Sequence, residues 1–116
     1  MASQLASGDL VSDRYASALY DLAAEKKLVD PVVEDLSNLK NILKDNKELW
    51  LVVKSPLITS NDKLNIFESL LKKINANELT NTFLKVIEKN KRFSSLASII
   101  TQFMNINSQK RGDVLA

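Results

Sequence analysis

Asp13 to Lys27 reads DRYASALYDLAAEKK, and this stretch decides the fold. It contains neither Gly nor Pro and is rich in Ala and Leu, so a helix is its lowest-energy conformation. On a wheel begun at Val11, the residues Val11, Tyr15, Ala18 and Leu22 form one narrow stripe. Ala16, Leu19, Tyr20 and Ala23 form a second stripe beside it. Together the stripes cover roughly 200° at about 100° per residue. A helix lying on a small core needs an apolar arc of only about 100° or slightly more. One edge is therefore expected to pack inward and the other to receive a further helix, either of this chain or of another protein.

Working outward, Ser12 or Asp9 is the expected cap of this first helix, which ends near Lys27 with cations at its negative pole. Residues 1–9 are small and polar and read as a flexible tail. Asp30-Pro31 restarts the chain as an N-cap followed by Pro at the first helical position. Val32, Leu36, Leu39 and Leu43 then recur at helical spacing to about Asp45. The segment from Glu48 to Val53, ELWLVV, suits a strand on propensity alone. It lies between Asn46 and Ser55-Pro56 with no second strand to pair with, so a short buried helix is predicted, anchored in the core by Trp50.

Ser55-Pro56 breaks the chain, because the residue before Pro avoids the helical region. Thr59 with Asp62 caps a fourth helix that turns Leu64, Phe67, Leu71 and Ile74 inward. Asn75 with Glu78 resembles a capping box and opens a fifth helix to about Asn90, with Leu79, Phe83, Leu84 and Ile87 on its core face. A sixth helix, from about Arg92 to Asn107, carries Phe93, Leu96, Ile100 and Phe103. Gly112 is its expected stop, and Asp113 to Ala116 begins an extended segment. Short loops between amphipathic helices predict an all-α fold, a compact six-helix bundle over residues 10–108. Residues 109–116 read as a linker into a C-terminal domain that this sequence lacks.

The 116 residues suit one domain, long enough to bury about two thirds of its unfolded surface. Cys and His are both absent, which removes disulfides, thiol nucleophiles, the commonest general base and the usual zinc ligands. Gly8 and Gly112 are the only glycines, so no glycine-rich loop cradles a phosphate. Same-face carboxylates such as Asp21 and Glu25 read as solvated, and Ser94, Ser95 and Ser98 have no base to activate them. No enzyme is expected: no catalytic residue, no cofactor and no metal site. No apolar run approaches the ~20 residues that span a bilayer. The start, MASQLASGDL, lacks the basic region of a secretory signal. Direct membrane insertion is not expected; any membrane association runs through a partner.

Sixteen basic and fourteen acidic residues are intermixed, the pattern of an ordinary solvated surface. The densest basic patch, Lys89-Asn90-Lys91-Arg92 with Phe93 beside it, carries the alternative reading, a helical RNA-binding regulatory protein. Glu88 adjoins that patch, and the pairs Lys26-Lys27 and Lys72-Lys73 lie on other helices. Phosphate backbones require several converging cations, so a solvated helix junction is the plainer reading and no nucleic-acid partner is expected.

Helix recognition is the remaining function. Val86 lies on the rim of the fifth helix's apolar arc, flanked by Thr82 and Lys89. If the first and fifth helices adjoin, Val11, Tyr15, Ala18 and Leu22 face Thr82, Val86 and Lys89. Ala18 is small enough to admit a third helix closely. The result is a shallow apolar groove with a polar lip, a receptor for an amphipathic helix. A surplus edge filled by the chain's own tail or last helix would leave no such groove.

Arg14-Tyr15-Ala16-x-Ala18-Leu19-Tyr20-x-Leu22-Ala23 resembles the opening motif of the delta subunit of bacterial F-type ATP synthases, whose mitochondrial relative is the oligomycin sensitivity-conferring protein. Three further landmarks fall in that family's order: Ser55-Pro56 before a new helix, Val86 to Arg92, and Lys110-Arg111-Gly112-Asp113-Val114-x-Ala116. Ser55 stands where relatives often have Asn, and Lys91 where many have Gly or another small residue. The resemblance implies the N-terminal six-helix domain of a non-catalytic stator subunit in a proton-translocating complex. It implies capture of the N-terminal helix of an alpha subunit between the first and fifth helices, with Tyr15, Ala18 and Val86 matching the contact positions. It also implies a peripheral-stalk b subunit as partner through the C-terminal domain. The location implied is the cytoplasmic face of the bacterial inner membrane, reached through the complex.

Overall fold

The computed structural model describes residues 10–111. Six α-helices and one 3-10 turn account for nearly all of them: α1 Leu10–Glu25, α2 Val29–Asp45, α3 Lys47–Lys54, α4 Ser60–Lys73, α5 Glu78–Lys89, the turn Phe93–Ser95, and α6 Leu96–Arg111. No strand occurs among the described residues, so the all-α, six-helix expectation holds. The tail at 1–9, the Asp9 cap, the Gly112 stop and the extended segment from Asp113 lie outside the described residues. α6 continues to Arg111, past the expected end near Asn107, so residues 109–111 are helical.

Two compact units divide the chain. One combines the described residues up to Val29 with those from Ser95 onward, and the other is Asp30–Ser94. In the first, α1 packs on α6. Ala16, Leu19, Tyr20 and Ala23 are buried on one side, and Leu96, Ile99, Ile100 and Phe103 on the other. The Tyr20 and Phe103 rings sit 5.4 Å apart, tilted by 52°, a geometry worth about 0.5–1.5 kcal/mol beyond its buried area. The Tyr20 hydroxyl donates to Asn107 Oδ1 at 3.4 Å, which gives a polar tip a partner at the buried end. Asp13 accepts from the Gln102 amide. From Asp13 with Gln102 to Tyr20 with Asn107 the pairs advance together, so α1 and α6 run in the same general direction. Ser12 is buried within α1, two residues past the helix start, and is therefore not the cap.

In the second unit the predicted core stripe of α2, Val32, Leu36, Leu39 and Leu43, is buried throughout. The helix starts at Val29, one residue before the expected Asp30 cap. Pro31 remains in the first turn, where its missing N–H costs no intrahelical bond. α3 is helical as predicted, capped by Asn46, whose side chain accepts from the Leu49 N–H at 3.1 Å. Leu49 and Val53 are its buried residues. Trp50 is not the anchor: it is half-buried with the Lys54 ammonium 4.7 Å above its ring, an edge position for an amphipathic aromatic. Thr59 caps α4 as expected, accepting from Asp62 N–H at 3.1 Å. Phe67 of α4 meets Phe93 at 4.9 Å, while Leu64 and Ile74 are only half-buried.

The α4–α5 junction departs from the sequence reading. Asn77, not Asn75, caps α5, its side chain accepting from Leu79 N–H at 2.9 Å. Asn75 instead closes α4 with φ 55°. Lys27 closes α1 at φ 60° and Lys91 closes α5 at φ 61°. Each of the three makes the same double closure. Leu28, Ala76 and Arg92 donate back to Ala23, Leu71 and Ile87, while Lys27, Asn75 and Lys91 donate to Ala24, Lys72 and Glu88. That pairing ends a helix in a left-handed residue and satisfies its last carbonyls. All three left-handed sites are filled without glycine.

Candidate partner-binding surface

α1 separates its two apolar stripes. The stripe Ala16, Leu19, Tyr20 and Ala23 is consumed by the core. On the other, Val11 and Tyr15 are half-buried and Ala18 is exposed, and Leu22 keeps 38% of its surface in solvent. Leu10 is more exposed still. A helix 16 residues long thus holds a second row of apolar side chains, half-buried or exposed, at i, i+4, i+7 and i+11, the spacing at which one helix face meets another.

α5 shows the same division in the second unit. Thr80, Phe83, Leu84, Ile87 and Glu88 are buried. Thr82 and Lys89 are exposed, and Val86 between them is 41% exposed. Thr82, Val86 and Lys89, at i, i+4 and i+7, share one solvent-side row. Each row is brought together by its own helix, one in each unit.

The start of α5 is fixed by a residue the sequence reading missed. Asp35, buried on α2, accepts from the Asn77 N–H at 2.7 Å and from the Thr80 hydroxyl at 2.8 Å. A carboxylate at a helix N-terminus meets both an unpaired N–H and the positive end of the helix dipole. The only sequence signal is that Asp35 flanks the apolar stripe between Val32 and Leu36. Its partner lies 42 residues away, which no local pattern reveals.

In the basic patch Lys89, Lys91 and Arg92 are all exposed. Lys91 Nζ donates to Ser60 Oγ at 3.3 Å, and the Arg92 and Lys91 N–H groups close α5. Among the described residues no three Asp or Glu side chains gather as metal ligands, and no helix is long and apolar enough to cross a membrane.

Fold and surface first define the class: an all-α protein whose buried polar groups secure helix ends and whose apolar side chains stand on the solvent side of two helices. The chain belongs to the ATP synthase delta (OSCP) subunit family, which its residues 11–116 match. It is 36% identical over 114 residues to the ATP synthase subunit delta of Rhizobium leguminosarum bv. trifolii, covering 98% of this chain and 60% of that protein. The subunit delta of Paramagnetospirillum magneticum is 33% identical over 104 residues, covering 90% of this chain and 56% of its own length. The chain therefore spans a little over half the length of these relatives. Among solved structures it is similar to a chain in the Toxoplasma gondii mitochondrial ATP synthase hexamer. The TM-score is 0.77 and the identity 34%, over 82% of this chain and 53% of that one.

Proposed function

We propose that this chain acts as a stator component of a proton-translocating F-type ATP synthase, serving ATP synthesis and ion transport without chemistry of its own. Its work is mechanical. A rotor turning inside a catalytic head drags the head with it unless a static connection carries the counter-torque to a peripheral stalk. That connection needs tight, permanent contact, and burial of apolar helix faces supplies it at about 25 cal/mol per Å².

The partner in this reading is the N-terminal helix of an alpha subunit, met by Val11, Tyr15, Ala18 and Leu22 of α1 and by Thr82, Val86 and Lys89 of α5. One observation carries it: α1 has a complete buried stripe and, beside it, an apolar row of which Val11 and Tyr15 are half-buried and Ala18 and Leu22 exposed. Family membership supports the choice of partner. A b subunit of the peripheral stalk binds, in the same reading, through the part of the relatives that this chain does not span. The complex then holds the chain at the cytoplasmic face of a bacterial inner membrane.

Titration with a synthetic alpha N-terminal peptide tests this. An apolar contact gives saturable binding that changes little between low and high salt. Binding to single-stranded RNA through Lys89, Lys91 and Arg92 would instead fall with a log–log slope near −0.7 per phosphate contacted. RNA binding without peptide binding would overturn the stator reading.

A further inference from the structure

Ser55-Pro56, a sequence landmark that the partner-helix rows leave unused, meets Glu88 and Lys91 of the run from Val86 to Arg92 in the second unit at one cleft of about 390 Å³. This volume suits a small molecule. Its apolar part comes from Val53, Ile58 and Phe93. Its polar part holds one carboxylate, Glu88, and three lysines. Glu88 lines the cleft at only 3% exposure, and among the described residues its carboxylate has no hydrogen bond or ion pair. Its oxygens are not among the atoms sealed from solvent without a partner, so the carboxylate meets the cleft with its acceptor capacity unused.

Three lysines line the same cleft and none of their ammonium groups is spent on Glu88. Lys54 Nζ lies over the Trp50 ring, Lys63 Nζ donates to the Val53 carbonyl at 3.2 Å, and Lys91 Nζ donates to Ser60 Oγ. Thr59 and Ser60, where α4 begins, complete that wall, so the positive end of the α4 dipole adds to the field of the lysines. Three lysines against one carboxylate leave the lining at a formal charge of +2. A cationic ligand is opposed by that field. An anion alone satisfies the lysines and leaves Glu88 bare.

We propose that this cleft binds a small phosphate ester that also carries hydroxyl groups. The phosphate sits toward Lys63, Lys91 and the α4 N-terminus, and a ligand hydroxyl donates to the Glu88 carboxylate. An ionised carboxylate only accepts, so it selects a donor. A hydrogen bond to a charged acceptor is among the stronger kinds. The site is independent of the α1 and α5 rows and of the stator reading.

The test is an amide-resolved NMR titration of the 116-residue chain at fixed ionic strength with glycerol 3-phosphate, propyl phosphate and inorganic phosphate. Glycerol 3-phosphate is expected to shift Ser60, Lys63, Glu88 and Lys91, and to bind at least about tenfold tighter than propyl phosphate, the effect of one hydrogen bond to a charged group. Glu88→Leu is expected to remove that ratio while inorganic phosphate binds as well or better. Equal affinity for the two esters reduces the site to general attraction by lysines and overturns the proposal, as does the absence of shifts at these residues. The ester comparison uses the unaltered protein, so it decides the matter even if Glu88→Leu fails to fold.

Discussion

Replacing Asp35 by Ala removes one acceptor and strands two donors. The Asn77 N–H at 2.7 Å and the Thr80 hydroxyl at 2.8 Å both lose their partner, and Thr80 is fully buried. Hydrogen bonds to a charged group are worth about 1.5–3 kcal/mol each. Two of them give roughly 3–6 kcal/mol, from which the desolvation of the carboxylate itself is relieved. The expected net loss is about 3 kcal/mol, a large share of the 5–15 kcal/mol typical of a domain. For 116 residues, an unfolding entropy of about 2.1 cal/mol/K per residue gives roughly 0.24 kcal/mol/K, so Tm falls by about 12 °C. Urea unfolding followed by circular dichroism measures the loss. Thr80→Val, alone and combined with Asp35→Ala, completes a double-mutant cycle with an expected coupling of at least about 1 kcal/mol. Asp35→Asn keeps an acceptor and should cost less than half as much. A loss under about 1 kcal/mol for Asp35→Ala, or additive behaviour in the cycle, would refute the argument that this carboxylate fixes the start of α5.

Two other outcomes follow from the geometry. Lys91 sits at φ 61°, a region that costs a non-glycine residue about 1–2 kcal/mol. Lys91→Gly should therefore raise stability by about 0.5–1 kcal/mol after glycine's greater freedom in the unfolded chain is counted, and a drop in the urea midpoint would contradict this. Tyr15→Asp and Val86→Asp should each weaken alpha-peptide binding by more than about 2 kcal/mol, the hot-spot threshold, while circular dichroism stays unchanged. Full affinity in both variants would remove these two rows from the contact.

Helical periodicity carried most of the fold. Val32, Leu36, Leu39 and Leu43, or Leu96, Ile100 and Phe103, are buried because a period of 3.6 leaves such residues one face to share, whereas Phe93, in the 3-10 turn, packs on Phe67 instead. The split of α1 into a core stripe and an outer row was legible for the same reason, since Ala16 and Ala18 lie on opposite flanks of a surplus arc. Junctions were less legible. Asn75 and Asn77 both tolerate a left-handed turn and both make good N-caps, so a local rule cannot assign them, and only the closure onto Leu71 does. Trp50 misled because size was taken for depth; Leu49 and Val53 share the inward face instead. Asp35 and Glu88 were invisible as special residues, because burial of a carboxylate is decided by helices distant in sequence.

The helix closures at Asn75 and Lys91 have a further consequence. Glycine visits a left-handed turn readily but leaves it readily too, since its mirror-image basins are nearly equal. A residue with a Cβ has only a small left-handed basin, so once its closing bonds form, the backbone of the turn itself has little room to drift. The elbows on either side of α5 are stiffer than glycine would make them, at some expense in stability. A pulling experiment on the folded chain would register this as a steeper rise of force with extension before rupture, and glycine at both positions should soften that rise while raising the melting temperature.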